Sequence, residues 1–403
     1  MTGHPVATRL VTPRTRPWSA VLWRGDRWAI GLVGLFAALA IGYKPLLYLA
    51  NGDAPWVASF YQSVTLSASD VGLALIALLG WPGLRDRGLQ PATWAMRVAT
   101  GAAVALLLCL LLSATAAGVP RLSILCAARV AVGLLAMLTV ARRPHFARAI
   151  LVGGAILLLI ELPIVVAQIV TQSTFPIGRL LDGWGGEATA QSPGAAVVIG
   201  PDGTRWLRAA GTLPHPNILG AFAVLALLCA LPWLVGGGRR RWPLLLLGLA
   251  GWLALLFSFS RAAWLAALTG GVFWGLGQIG RGNRRRLLWL IAPPLVALAI
   301  VLLVAGATLR HRIIPSATEP ATIQRLVIGL VALDMIIKHP WRGVGAGNFA
   351  LAELAPPYNA VSVEPVHFMP LLVAAEAGII AGVAWLVLLV GPVCAEIWQR
   401  RRL

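Results

Sequence analysis

Acidic residues are scarce in this chain of 403 residues. Fourteen Asp and Glu stand against 33 Lys and Arg, and charged residues of both signs make up only 12%. Soluble domains carry about 25% charged residues. With 59% hydrophobic residues and a mean hydropathy of +0.82, the shortage of charge argues against a soluble enzyme and for a chain that crosses a membrane many times. Cysteine is scarce as well. Cys109, Cys126, Cys229 and Cys394 lie in apolar runs without a C-x-x-C pair. That argues against a disulfide framework or zinc site and leaves them as small packed residues. No G-x-x-x-x-G-K-[ST] stretch occurs, so a nucleotide P-loop is excluded. No solenoid-type repeat is visible. The two halves show no convincing match, which weakens a transporter built on inverted repeats.

What is present is a series of long apolar runs. A spanning helix needs about 20 mostly apolar residues. That window gives ten candidate spans, at 28–49, 64–84, 93–117, 122–140, 149–171, 213–235, 242–259, 262–280, 287–308 and 378–398. The fold class expected is therefore an all-α, polytopic transmembrane bundle, with two long loops at 172–212 and 309–377, the second partly helical.

The net charge of +19, nearly all of it arginine, would point to nucleic acid on a soluble protein. Here it has a simpler cause. Arg9, Arg14, Arg16, Arg24 and Arg27 precede the first span; Arg85 and Arg87, Arg142, Arg143 and Arg148, Arg239–Arg241, Arg281 and Arg284–Arg286, and Arg400–Arg402 fall at every second connection. The positive-inside rule puts all of these in the cytoplasm, so both termini are expected there and both long loops outside. The expected organisation is a basic cytoplasmic tail at 1–27, one transmembrane domain at 28–398 and a cytoplasmic end at 399–403, in the bacterial inner membrane. The lipid bilayer is the expected surrounding, and no nucleic acid is expected.

Charges inside spans are costly and default to functional hypotheses. Asp70, Arg97, Arg129 and Glu161 are the cases here. Arg97 can snorkel to its helix end. For Arg129 and Glu161 the usual fate is an ion pair between neighbouring helices, with Asp70 a further partner.

Four outer segments carry the chemistry. Arg208-Ala-Ala-Gly-Thr-Leu-Pro-His-Pro-Asn217-Ile-Leu-Gly220 leads a polar, restricted stretch into a span and offers Arg208, His215 and Asn217. Phe257-Ser-Phe-Ser-Arg-Ala-Ala263 puts Arg261 in a tight outer turn with no acid close in sequence. An arginine there suits either an anion or a lipid headgroup. Residues 320–338 read as a helix begun near Pro320 and carrying Arg325, apolar on most sides, so that it packs on the bundle or lies in the interface. It breaks at His339-Pro-Trp-Arg342-Gly-Val-Gly-Ala-Gly-Asn348, whose glycines permit close backbone approach. Finally His367 and Glu376 occupy an apolar helical run before the last span. The outer acids Asp182, Glu187, Asp202, Glu319, Asp334, Glu353 and Glu364 are scattered, which argues against a metal site or a paired-carboxylate glycosidase. No cofactor is called for.

Taken in order, these segments resemble the O-antigen ligase and O-antigen polymerase family of bacterial membrane glycosyltransferases. Arg208 to Gly220 resembles its Gly-Thr-x-x-x-Pro-Asn lead-in, Ser260-Arg261 its Ser-Arg turn, and Arg325 with His339 to Phe349 its loop helix and Pro-x-x-Gly-x-Gly element. His367 with Glu376-Ala-Gly378 resembles its His-Asn…Glu-x-Gly element, with Phe368 standing where the family has Asn.

The resemblance covers about residues 150–398. It implies a GT-C type fold and a donor glycan on undecaprenyl pyrophosphate. Transfer would be to an acceptor hydroxyl on a glycan or lipid, with inversion and without a metal, in cell-surface polysaccharide assembly in the cell envelope. The same motifs serve ligases, polymerases and protein O-glycosyltransferases. A non-catalytic transporter or lipid-binding protein is the alternative of a different class. On this reading Arg261 and Arg325 clamp the lipid pyrophosphate, and His367 is the general base, because an ordinary imidazole titrates near neutrality. Arg208 and Arg342 are further cations, His215 and Asn217 orient sugar or phosphate, and Glu376 orients His367 or anchors its helix.

Overall fold

The computed structural model describes residues 45–50, 64–67, 70–78, 93–142, 144–174, 188–192, 195–213, 215–236, 241–279, 284–313, 320–358, 360 and 365–402. The basic tail at 1–27 lies outside the described residues, as do Asp182, Glu187, Glu319 and Glu364.

The described chain is mostly helical. Its helices are α1 (Trp94–Ser113), α2 (Pro120–Arg142), α3 (Pro144–Thr171), α4 (Pro216–Gly236), α5 (Arg241–Phe257) and α6 (Arg261–Ile279), then α7 (Arg284–Ile313), α8 (Pro320–Lys338), α9 (Phe349–Leu354), α10 (Met369–Ala377) and α11 (Ile379–Arg402). Five stretches are long and apolar enough to cross a membrane: α1, α2, Ile150–Thr171 of α3, Ile291–Ile313 of α7 and Ile379–Gln399 of α11. Pro216–Leu231 and Pro243–Phe257 are shorter apolar helices. These correspond to seven of the ten expected spans, and α6 occupies an eighth.

The first two expected spans differ from an all-helical reading where they are described. Strand β1 (Pro45–Ala50) pairs antiparallel with β2 (Val64–Ser67), with shifts in register. Helix then occupies residues 70–78. The cause of the late start is local. Ser67 N and Ser67 Oγ both donate to Asp70 Oδ2 at 2.9 and 2.7 Å, and Asp70 N donates back to Ser67 Oγ at 3.3 Å. This is a capping box, which satisfies the orphan amides at a helix start and fixes that start after Ser67.

Small residues set the packing. Ala250 and Ala254 of α5, Ala223 of α4 and Ala297 of α7 are fully buried in the largest apolar cluster, with Leu158, Leu219, Leu255 and Val301. A second cluster joins α1, α2 and α11 through Leu106, Leu110, Ala127, Ala381 and Ala384. Alanine lets helix axes approach where lipid gives no hydrophobic drive to association. The outward faces carry exposed leucine, isoleucine and valine, including Leu108, Leu225, Leu268 and Leu303. Cys109 and Cys126 pack against the second cluster, whereas Cys229 and Cys394 face outward; all four are free thiols.

Arg129 pairs with Asp70 through Nε and Nη2 at 2.9 and 2.8 Å. Glu161 does not join them. Its carboxylate accepts from Thr212, at one end of the bundle. The expected ion pair is thus made by Arg129 and Asp70 alone of the three.

That end gathers the loops. The 172–212 stretch contains an antiparallel hairpin, β3 (Val197–Ile199) with β4 (Arg205–Leu207), turning at Pro201-Asp202-Gly203. Asp202 Oδ1 accepts from Thr204 N and Oγ1 in that turn, and Gly203 has φ +79°. Helix α7 departs from helical geometry at Ala305 (φ −141°, ψ 31°), one residue before Gly306. Its last turn carries Arg310, His311 and Arg312 to the same end.

Helix α8 starts at Pro320, as the sequence implies. Ile328, Ala332 and Met335 pack with Phe349, Val366 and Ala375, while Ile323, Leu326, Leu330 and Ile337 stay exposed. The helix therefore packs on the bundle with one stripe and offers an apolar stripe outward.

Candidate functional site

The segment from Leu207 to Leu213 is held at each of its backbone amides. Glu161 and Gln168, seven residues apart on α3, share one face, and Gln172 follows the end of the helix with φ +53°. Gln172 Oε1 accepts from Leu207 N at 2.7 Å. Gln168 Oε1 accepts from Ala210 N and Gly211 N at 3.1 and 2.9 Å, while its Nε2 donates to Gly211 O at 2.9 Å. Glu161 Oε2 accepts from Thr212 N at 2.7 Å, and Oε1 accepts from the Thr212 hydroxyl. Gly211 has φ +65°, and the carboxylate of Glu161 occupies the space that a side chain there would need.

Held this way, Arg208 is buried. Its Nε donates to Ser258 O at 3.0 Å and its Nη2 to Asn217 Oδ1 at 2.5 Å. It thus ties the loop to the start of α4 and to the turn before α6. In that turn Phe259 is fully buried with φ +48°, an uncommon conformation for a bulky residue. Arg312 Nε donates to Phe259 O at 3.3 Å from the last turn of α7. Arg261 then opens α6.

Asn217 N donates to His215 Nδ1 at 3.0 Å. That bond leaves the ring proton of a neutral His215 on Nε2. Burial, and then the charges of Arg208, His367 and Arg325, push the His215 imidazole down to about 4. His215 precedes α4, Arg325 lies on α8, and His367 lies just before α10.

The Gly-rich loop serves a different neighbourhood. Gly343, Gly345 and Gly347 all have positive φ, and side chains at the first two would collide with the backbone of Glu376 and with Ala117. Val344 N and Gly345 N donate to the carbonyls of Ala375 and Glu376 at 3.0 and 2.9 Å. The Glu376 side chain accepts from Phe349 N at 3.2 Å and from the amide of Gly347. Burial pushes that carboxyl up to about 7, and the two amides pull it the other way. Glu376 therefore braces the loop, the anchoring alternative read from the sequence. Arg342 Nη1 reaches Thr115 Oγ1 at 3.4 Å, in the turn after α1. Asn348 fixes the same turn, accepting from Val119 N at 2.7 Å.

Phe368 caps α10 without a side-chain hydrogen bond. Asn is a good N-cap and Phe has no acceptor to offer.

Sequence reasoning weighed Glu161 as an ion-pair partner and missed its service, with Gln168 and Gln172, to the Leu207–Thr212 backbone, although Glu161 and Gln168 seven residues apart on an apolar helix were a readable signal. It also missed Arg312, whose signal was an Arg-His-Arg run at the end of a span.

The family model of O-antigen ligase matches residues 244–386. The match covers Arg261, Arg325, Arg342, His367 and Glu376, and it ends short of Arg208, His215 and Asn217. It supports the O-antigen ligase family for this chain. No curated protein and no solved structure matches.

Proposed function

We propose, with the O-antigen ligase family match as premise, that this protein is a membrane glycosyltransferase. It moves a glycan from an undecaprenyl-pyrophosphate donor to an acceptor hydroxyl on the outer side of the bacterial inner membrane. The observation that carries the reading is the gathering of Arg208, Arg312 and Arg261 at the turn before α6, with Arg208 Nε on Ser258 O and Arg312 Nε on Phe259 O. Cations drawn from several segments suit an anionic pyrophosphate at the membrane surface, and charge stabilisation at the leaving group is where catalysis gains most.

In the proposed reaction the acceptor oxygen attacks the anomeric carbon from the face opposite the phosphate, which inverts the centre. The bond between that carbon and the phosphate oxygen breaks, and the lipid pyrophosphate leaves with the electron pair. His367 takes the proton of the hydroxyl as general base. Arg261 and Arg325 clamp the pyrophosphate, with Arg208 and Arg312 as further cations, while Arg342 turns to Thr115. His215 is poorly suited to be the base. Its Nδ1 already accepts from Asn217 N, and its Nε2 carries the proton. It is instead a neutral donor to sugar or phosphate beside Asn217. No metal or cofactor has a role in this scheme.

Ligase, polymerase and protein O-glycosyltransferase share the scheme and differ in acceptor. The transporter reading needs charges lining a path through the membrane. The bidentate pairing of Arg129 with Asp70, and the engagement of Glu161 by Thr212, speak against it.

The test uses the purified protein in liposomes with a pyrophosphate-linked glycan donor. Wild type is expected to transfer glycan, and Arg261→Ala, Arg325→Ala and His367→Ala are expected to lose transfer. Full transfer by His367→Ala removes it as the base. Donor binding retained by the Arg261→Ala/Arg325→Ala double variant removes the clamp.

A further inference from the structure

We infer that Glu161 is a positioning residue of this site, acting from inside a membrane span through the backbone of Leu207–Leu213. The inference rests on the proposed transferase reading and adds to it a residue outside the family-matched region.

Glu161 is fully buried, in a helix where an acid is costly. Its two carboxylate oxygens accept the amide and the hydroxyl of one residue, Thr212. The Gly211 conformation, with φ +65°, exists against that carboxylate and admits no side chain. Every amide from Leu207 to Leu213 has an acceptor. Ala210, Gly211 and Thr212 use α3 side chains and Leu207 uses Gln172 just after that helix; Arg208, Ala209 and Leu213 use the carbonyls of Ala196, Phe257 and Ala210. A segment so fixed has one conformation, and Arg208 lies within it. Arg208 lies four residues before Thr212, and His215 three after. A loose loop plus Arg208 would still be a cation near the cleft. Only a fixed loop holds Arg208 on both Ser258 O and Asn217 Oδ1. Preorganised donors cost no rearrangement as charge develops.

The experiment compares full-length wild type, Glu161→Ala, Glu161→Gln and Thr212→Val in lipid nanodiscs. Two readouts are taken: transfer kinetics with a pyrophosphate-linked glycan donor, and hydrogen exchange of the amides at 207–213. Gln keeps one oxygen for the Thr212 amide and offers an NH to its hydroxyl. The expected result is a donor KM about tenfold or more higher in Glu161→Ala, with a smaller change in kcat, and near-complete rescue in Glu161→Gln. Faster exchange at Gly211 and Thr212 accompanies the loss. Thr212→Val, which keeps the amide, falls between, and it carries the test should Glu161→Ala fail to fold. An unchanged KM with only less active protein overturns the inference, as does Glu161→Gln behaving like Glu161→Ala. If wild type transfers no glycan, the transferase reading fails, and exchange alone judges the loop. Unchanged protection at 210–212 then overturns the positioning role, and lost protection upholds it.

Discussion

Two glutamates hold two loops at the same end of this bundle. Glu161 accepts the amide and hydroxyl of Thr212, and Glu376 accepts the amides of Phe349 and Gly347. The chemistry is alike, a carboxylate met by donors from a loop, and so is the cost of leaving those donors unmet. What differs is the cargo. The loop on Glu161 carries Arg208 to Ser258 O and Asn217 Oδ1. The loop on Glu376 carries Arg342 toward Thr115 and, through Asn348, clamps the turn between α1 and α2. One brace serves a site and the other serves the frame. The family match includes the second loop together with Arg261, Arg325 and His367, and leaves out the first loop.

The sharpest way to break this comparison is at the histidines. His367→Ala is expected to lower kcat by roughly 10²–10⁴-fold, the range for losing a general base. His215→Gln is expected to raise donor KM while leaving the pH–rate profile between about 5 and 8 unchanged, because a group already pushed down to about 4 does not titrate there. A profile altered by His215→Gln and not by His367→Ala reverses their roles.

A second effect falls on stability. Glu376→Ala leaves two loop amides without their acceptor and is expected to destabilise by about 2–4 kcal/mol, read from thermal unfolding in detergent. The pH dependence has a definite sign. The Glu376 carboxyl is raised from 4.5 to about 7 in the folded protein. The folded state therefore binds more protons than the unfolded state between those values. Its contribution to stability is full below about 4.5 and is lost as pH rises to about 7. Glu376→Gln should flatten this part of the stability curve. A steeper fall in the variant contradicts the assignment.

Between the loops, arginine exchange gives a smaller contrast. Arg208→Lys cannot keep two contacts in a planar fork, so transfer is expected to drop about tenfold. Arg342→Lys is expected to change transfer less than threefold in the same liposome assay. Equal losses would erase the distinction between site and frame. The mildest prediction concerns Phe368→Asn, which supplies the missing side-chain cap of α10 and is expected to stabilise by about 0.5–1 kcal/mol. A lower melting temperature would show that the exposed Phe368 ring packs on something in the membrane.

Much of this molecule was legible in its residues. The start of α8 at Pro320, the break at His339, the glycines at 343, 345 and 347, and most span positions follow from local rules. The hairpin at Val197–Leu207 was legible too, since Asp-Gly between β-branched runs is a turn signal, yet it was read as plain loop. The Ser67–Asp70 capping box likewise marks a helix start that hydropathy alone placed earlier.

By itself the sequence determined that apolar helices of spanning length form, where they begin and end, and which connections are polar. Hydropathy, capping and turn chemistry act within about 20 residues, so a linear reading captures them. Only the tertiary structure decided that Arg129 turns to Asp70 while Glu161 turns to Thr212, that Arg342 faces Thr115, and that Arg208 and Arg312 both reach the turn before Arg261. Those partners are separated by up to 227 residues in the chain. Their meeting depends on which helix faces touch, and that is set by packing across the whole bundle.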